Sequence, residues 1–242
     1  MVYTSTDNSK IKDLKRLNTK KNRDLEDSYL VEGKNLVTLA YKNGYLKQLI
    51  LLEDTDFKLD VDTIYVNDKV MKYITELDHP TNIVGVCNKK HDIIKGNKIL
   101  ILDNVQDPGN LGTIIRSAVA FNFDTIVLSL DTVDLYNSKV LRSTQGLIFE
   151  ANIVVADIKD VITNLKEKEF KIYATKVDGG KKIKDITFED KVVIVMGNEG
   201  SGVKKEIFDL SDEYLYIPMS DKCESLNVGV ATSIILYEIG EV

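Results

Sequence analysis

The chain has 242 residues, 43% of them hydrophobic, which suffices for one large core or two modest ones. A net charge of −6 and a pI near 5.1 exclude a surface coated in basic residues but leave room for a local basic patch. Two cysteines far apart, Cys87 and Cys223, exclude a disulfide framework or zinc site and fit a reducing cytoplasm. The sequence lacks a signal-peptide pattern, and its apolar runs are too short to span a membrane, so a soluble cytoplasmic protein is expected.

The chain opens with Lys10, Lys12, Lys15, Arg16, Lys20, Lys21 and Arg23, opposed in that window only by Asp13. Ile11, Leu14 and Leu17 fall at helical spacing, which predicts a basic amphipathic helix followed by a charged turn. Its cations are either a phosphate-binding surface or an ordinary solvated helix face. Strands are predicted at 29–31, 47–52, 64–66 and 83–86, with helices at 33–42 and 68–77, an alternation typical of a small α/β layer structure. His79 and His91, the two histidines, have no second ligand at metal spacing, so no metal is expected, and His79-Pro80 reads as a turn. The polar stretch 89–98 is the expected boundary, giving domains 1–95 and 96–242.

The second domain begins with a buried-type strand at 98–102, followed by Asp107-Pro108-Gly109-Asn110. This is turn chemistry, and Asn110 is the expected N-cap of a helix from Leu111 to about Phe121. Arg116 is the sole charge between Asn110 and Asp124, either snorkelling at the surface or serving as a functional cation. Further strands are predicted at 125–129, 151–155, 171–175, 191–196 and 213–217. Helices are predicted at 137–141, 158–168, 203–208 and 226–239, and 176–191 reads as a surface excursion. The last helix carries Val228, Val230, Ala231, Ile234, Ile235, Leu236 and Tyr237, leaving almost no polar face. Earlier elements or a second subunit must cover it.

Three loops at strand ends carry the chemistry: 104–116, 197–202 and 217–227. The glycine loop Gly197-Asn198-Glu199-Gly200-Ser201-Gly202 has neither dinucleotide nor P-loop spacing. Glu199 at its centre disfavours phosphate and points to a nucleoside-like or cationic ligand. Asp107-Pro108-Gly109-Asn110-Leu111-Gly112 through Arg116, Val195-Met196-Gly197 through Gly202, and Ile217-Pro218-Met219 with Glu224-Ser225-Leu226-Asn227-Val228 occur in that order. Together they resemble the SpoU–TrmH branch of the SPOUT RNA methyltransferases, over roughly residues 98–242. Lys139 to Gly146 looks like that family's intervening helix turn, and the first domain matches, in pattern, the ribosomal-protein-like RNA-binding domain found ahead of such cores.

The resemblance implies a SPOUT-type parallel sheet with a deep trefoil knot, a homodimer, and S-adenosylmethionine as cofactor. It implies a methyl transfer to a ribose 2′-hydroxyl, here of large-subunit ribosomal RNA. Transfer RNA as substrate, or an inactive RNA-binding assembly factor, are the alternatives, and a nucleotide-binding oxidoreductase lacks its fingerprint. By resemblance, Met196, Gly197, Ile217, Met219 and Leu226 hold the cofactor. Asn110, Arg116, Glu199, Ser225 and Asn227 take the catalytic positions, and Lys15, Arg16, Lys20 and Lys21 are the expected RNA contacts. Asp221 stands where the family has glycine, and Gly229 where serine is common. A sugar hydroxyl needs a base or a cation that stabilises the alkoxide. The resemblance implies a base role for the arginine, but guanidinium holds its proton tightly, so Arg116 is expected to act electrostatically, with Asn110 orienting it. Glu199 is expected either to take part directly or to cap the loop and neighbouring helix.

Overall fold

The computed structural model describes residues 2–76 and 81–240; the expected His79-Pro80 turn lies outside them. The chain divides into two compact units, one comprising residues up to Lys90 together with Asp134–Glu150, the other His91–Val133 and the chain from Ala151 onward.

The first unit runs β1 (Val2–Tyr3), α1 (Ser9–Arg16), α2 (Lys20–Glu26), β2 (Ser28–Glu32), α3 (Lys34–Lys42), β3 (Leu46–Leu52), β4 (Asp62–Val66), α4 (Asp68–Ile74) and β5 (Ile83–Asn88). Its mixed sheet has the order β1-β4-β3-β5-β2, with β5 antiparallel to both neighbours. The basic helix is α1, and the charged turn expected after it is instead a second helix, α2. Asn8 caps α1 by accepting from the Lys10 N–H, whereas α2 starts at Thr19 without a side-chain cap. Ile11, Leu14 and Leu17 are buried with Leu30, Ile50 and Val84 in one core, as their spacing requires. The two-residue β1 was not expected, because so short an edge strand leaves no periodic signal.

The second unit begins with β6 (Lys98–Leu102), α5 (Pro108–Ala120) and β7 (Thr125–Leu128). The chain then gives α6 (Ser138–Ser143) to the first unit before β8 (Ile153–Val155), α7 (Ile158–Glu167), β9 (Lys171–Thr175), β10 (Lys181–Lys182), β11 (Val192–Met196), α8 (Lys205–Phe208), β12 (Glu213–Tyr216) and α9 (Val228–Ile239). The seven strands form one sheet, β10-β12-β9-β11-β6-β7-β8, and every pairing in it is parallel. The central strand β11 is buried along its whole length, which is why it reads as an unbroken apolar run. The excursion 176–191 contributes β10 at the sheet edge, where Lys181 Nζ pairs with Glu213 at 2.8 Å. Two local charged residues gave no strand pattern to read.

The expected contiguous division at residue 95 differs from this arrangement in two respects: residues 91–95 fall in the second unit, and residues 134–150 fall in the first. Residues 134–150 pack with the first unit because Asp134 receives the guanidinium fork of Arg23, both side chains being nearly buried. Tyr136 lies against Tyr29 with ring centroids 4.3 Å apart. Such contacts join residues about a hundred positions apart and leave no local trace.

Helix α9 finds its cover on α5. Ser117 and Ser233 hydroxyls meet at 2.7 Å, Phe121 meets Tyr237 edge-on at 5.6 Å, and a Cβ on Gly229 would touch Thr113 at 3.4 Å. These are i, i+4 ladders on both helices, one turn per rung. Val230 and Tyr237 stay exposed.

Candidate active site

The site grows from the end of β11. A Cβ on Gly197 would fall 2.0 Å from the Gly202 carbonyl carbon, so only glycine lets the chain fold back here. Asn198 and Gly202 exchange two backbone hydrogen bonds of 3.0 Å. The Asn198 Oδ1 accepts from the Gly200 and Ser201 N–H groups, while its Nδ2 donates to the Asn104 carbonyl at 2.8 Å. At the far end of the loop, the Lys204 N–H donates to buried Asp103 at 2.8 Å and its ammonium to Asp131 at 2.6 Å. The hydrogen bond to Asp131 raises the Lys204 ammonium and lowers the Asp131 carboxyl from their ordinary values.

Glu199 ties this loop to the loop after β6. Its carboxylate accepts from the Asp107 N–H at 2.9 Å, the Gln106 N–H at 3.1 Å and Asn110 Nδ2 at 3.1 Å. Burial works to raise this carboxyl, but the Asp107 N–H and the Asn110 amide outweigh it and hold it below its ordinary value. The other face of Asn110 is also engaged, because Asn227 Nδ2 donates to its Oδ1 at 2.9 Å. Asn227 Oδ1 in turn accepts from the Gly229 and Val230 N–H groups and so caps α9. One polar chain, Glu199–Asn110–Asn227–α9, thus joins all three motif loops, which lie 89 and 117 residues apart in sequence.

Two expectations are corrected. Asp107, not Asn110, caps α5: its Oδ1 accepts from the Asn110 N–H at 2.8 Å, with Pro108 at the helix start. That frees the Asn110 side chain for Glu199 and Asn227, so Asn110 does not orient Arg116. Arg116 itself is exposed on an otherwise apolar helix and makes no ion pair among the described residues.

At the carboxyl ends of β9, β11 and β12 lies a cleft of about 340 Å³, within the range of small-molecule sites. Met196, Gly197, Ile217, Met219 and Leu226 all line it, as do Glu199 and Ser225. Asn110, Asn227 and Arg116 are not part of its wall. Lys15, Arg16, Lys20 and Lys21 belong to the other unit. Lys15 Nζ stands over the Tyr73 ring at 5.5 Å and Arg16 pairs with Asp13 at 3.0 Å, while Lys20 and Lys21 are exposed. Thr175, Lys176 and Tyr216 also line the cleft and were missed. The strands that carry Thr175 and Tyr216 were legible, but that β9 lies between β12 and β11 follows from the sheet order alone, and Lys176 was assigned to the surface excursion. Among the described residues, no group of three His, Cys, Asp or Glu side chains is placed to hold a metal ion.

A parallel sheet whose carboxyl edge carries a glycine loop, a capped helix start and one mixed apolar and polar cleft defines an α/β protein that binds a small ligand at its strand ends. The chain belongs to the SpoU rRNA methylase family, whose model matches residues 97–237; residues 8–85 match the MRM3-like substrate binding domain. It is 35% identical over 241 residues to the 23S rRNA (guanosine(2553)-2′-O)-methyltransferase RlmP of Bacillus subtilis strain 168, covering 97% of each chain. An rRNA methyltransferase from Sinorhizobium meliloti superposes with a TM-score of 0.87 at 30% identity, over 98% of this chain and 96% of that one. The AdoMet-bound structure of an rRNA methyltransferase from the same organism gives 0.86 at 30% identity, with the same coverage.

Proposed function

We infer that this chain is an S-adenosylmethionine-dependent RNA methyltransferase acting on a ribose 2′-hydroxyl of large-subunit ribosomal RNA. The observation that carries this reading is the Glu199–Asn110–Asn227 chain holding three loops around one cleft. The relative RlmP, matched along 97% of its length, supports the substrate.

The residues present fit the cofactor. Apolar side chains of Leu215, Ile217, Leu226 and Val228 offer walls for a nucleoside, and the backbone of 197–202 offers polar groups to its edges. S-adenosylmethionine, when bound, supplies an electrophilic methyl group. Met196, Gly197, Ile217, Met219 and Leu226 would hold it.

Glu199 is a positioning residue in this reading, since its oxygens are occupied by three N–H donors that fix the start of α5. Through Asn110 it also fixes the start of α9. Arg116 lies two turns along α5 with its guanidinium unpaired, available to an RNA phosphate and to the developing alkoxide. Ser225, whose hydroxyl makes no hydrogen bond among the described residues, is suited to the same phosphate. These roles place binding of the small ligand and binding of RNA on different side chains.

The C-terminal segment is proposed to be threaded as a trefoil knot, supported by α9 packing on α5 while its preceding loop lines the cleft. A homodimer through α5 and α9 is supported by exposed Val230 and Tyr237. The first unit is proposed as the RNA-binding domain. Lys20 and Lys21 sit in the first turn of α2, which holds no acidic residue, and cations there oppose the helix dipole. An RNA phosphate offsets that cost. A cytoplasmic location goes with this substrate, and no helix among the described residues is long and apolar enough to cross a membrane.

Mapping 2′-O-methyl groups in ribosomal and transfer RNA, with and without the gene, tests the reading. Loss of one methyl in large-subunit RNA is expected. Loss confined to transfer RNA, or no loss, overturns it.

A further inference from the structure

The first unit contains a second cleft, of about 280 Å³, that the methyl-transfer site does not use. It lies where β2, β3 and β4 begin and β5 ends, so Ser28, Gln48, Asp62 and Val86 come to the same end of the sheet. Leu14 of helix α1 and Leu17, just past its end, line it.

Two features set it apart from a packing gap. Ser28 is one of the residues lining it; it is 3% exposed, and its buried hydroxyl has no hydrogen-bond partner among the described residues. A buried hydroxyl left unpaired is destabilising, and native interiors rarely keep one without use. Secondly, the register of β3 against β5 slips between Leu46 and Gln48. Neighbouring residues of a regular strand face opposite ways, yet Lys47 and Gln48 both line this cleft. A bulge re-aims a side chain in this manner.

The lining combines an apolar floor (Leu14, Leu17, Val86), two ammonium groups (Lys10, Lys47), and acceptors at Glu26 and Ser28. Asp13 is already paired with Arg16 and Asp62 already accepts from Gln48, whereas Glu26 makes no ion pair among the described residues. A flat apolar body with a donor edge and an attached anion fits this set. Guanine has two adjacent N–H donors that a carboxylate takes together, and its nucleotide carries the phosphate. We propose that this cleft binds an unpaired guanosine nucleotide of the substrate RNA, Glu26 and Ser28 reading the base and Lys10 and Lys47 holding the phosphate. The RNA source rests on the reading of this unit as the RNA-binding domain; the nucleotide pocket itself does not.

The test is calorimetric titration of the full-length protein with guanosine 5′-monophosphate, with S-adenosylhomocysteine present at saturation to fill the other cleft. Saturable binding is expected, weaker for adenosine, cytidine and uridine monophosphates. Ser28→Ala and Glu26→Gln should each weaken it by about tenfold while leaving S-adenosylhomocysteine binding unchanged. Ser28→Ala should not lower the thermal midpoint, since it removes an unpaired hydroxyl. No saturable binding, equal binding of all four nucleotides, or unchanged affinity in Ser28→Ala would overturn the pocket. A ribosomal RNA fragment should displace the nucleotide; RNA that binds without displacing it overturns the assignment to substrate RNA. Loss of methyl transfer with the nucleotide still bound would count against the enzyme reading alone.

Discussion

Replacing Glu199 with Gln removes one charge and almost no volume, so it isolates what the carboxylate does. In the native loop its two oxygens accept from the N–H groups of Gln106 and Asp107 and from Asn110 Nδ2, at 2.9–3.2 Å. Hydrogen bonds to a charged acceptor contribute about 1.5–3 kcal/mol when shielded. Glu199 is exposed, so solvent screening reduces the sum, and a net loss of about 1–2 kcal/mol is expected. The sign with pH follows from the depressed carboxyl value. A group held below its unfolded value contributes stability above that value, near 4.3, and loses it as pH falls through the lower folded value. Thermal unfolding of wild type and Glu199→Gln should therefore differ by a few degrees at pH 7, and the two curves should converge as the pH drops below about 4. The same displacement loosens the cleft, so cofactor affinity should fall by up to about tenfold. A thermal difference that persists unchanged into acid would mean that shape, not charge, holds the loop. Equal stability at pH 7 would refute the positioning role altogether.

Arg116→Ala should abolish methyl transfer while calorimetry shows cofactor affinity within about twofold of wild type, because Arg116 does not line the cleft. Gly197→Ala should eliminate cofactor binding and lower the thermal midpoint, since its Cβ would overlap the Gly202 backbone; a folded, binding-competent variant would show that the loop can open. Neutralising Lys15, Arg16, Lys20 and Lys21 together should weaken RNA binding and lower its logarithmic salt slope by about 0.7–0.9 for each lost phosphate contact, with no change in cofactor affinity. Light scattering should give twice the chain mass for wild type, and Val230→Glu with Tyr237→Glu should give a monomer; a monomeric wild type at micromolar concentration would remove the proposed interface.

The sequence alone determined the elements and the three loops. Period-two and period-3.6 patterns fixed most strands and helices to within a few residues, because burial on one face is a local demand repeated along the chain. The apolar character of α9 was equally local, and the ordered motifs around Asn110, Glu199 and Asn227 were enough to suggest the family. Partnerships were not legible. The sequence marks Asn110 as a capping type, yet Asp107 occupies the cap and leaves Asn110 to bridge Glu199 and Asn227. Nor does any local pattern say that β11 lies between β9 and β6, that Tyr216 and Thr175 face one cleft, or that Asp134 closes on Arg23. Those contacts depend on where distant segments come to rest, and a hydrogen bond between residues a hundred apart imposes no spacing on either one. Tertiary packing decided them.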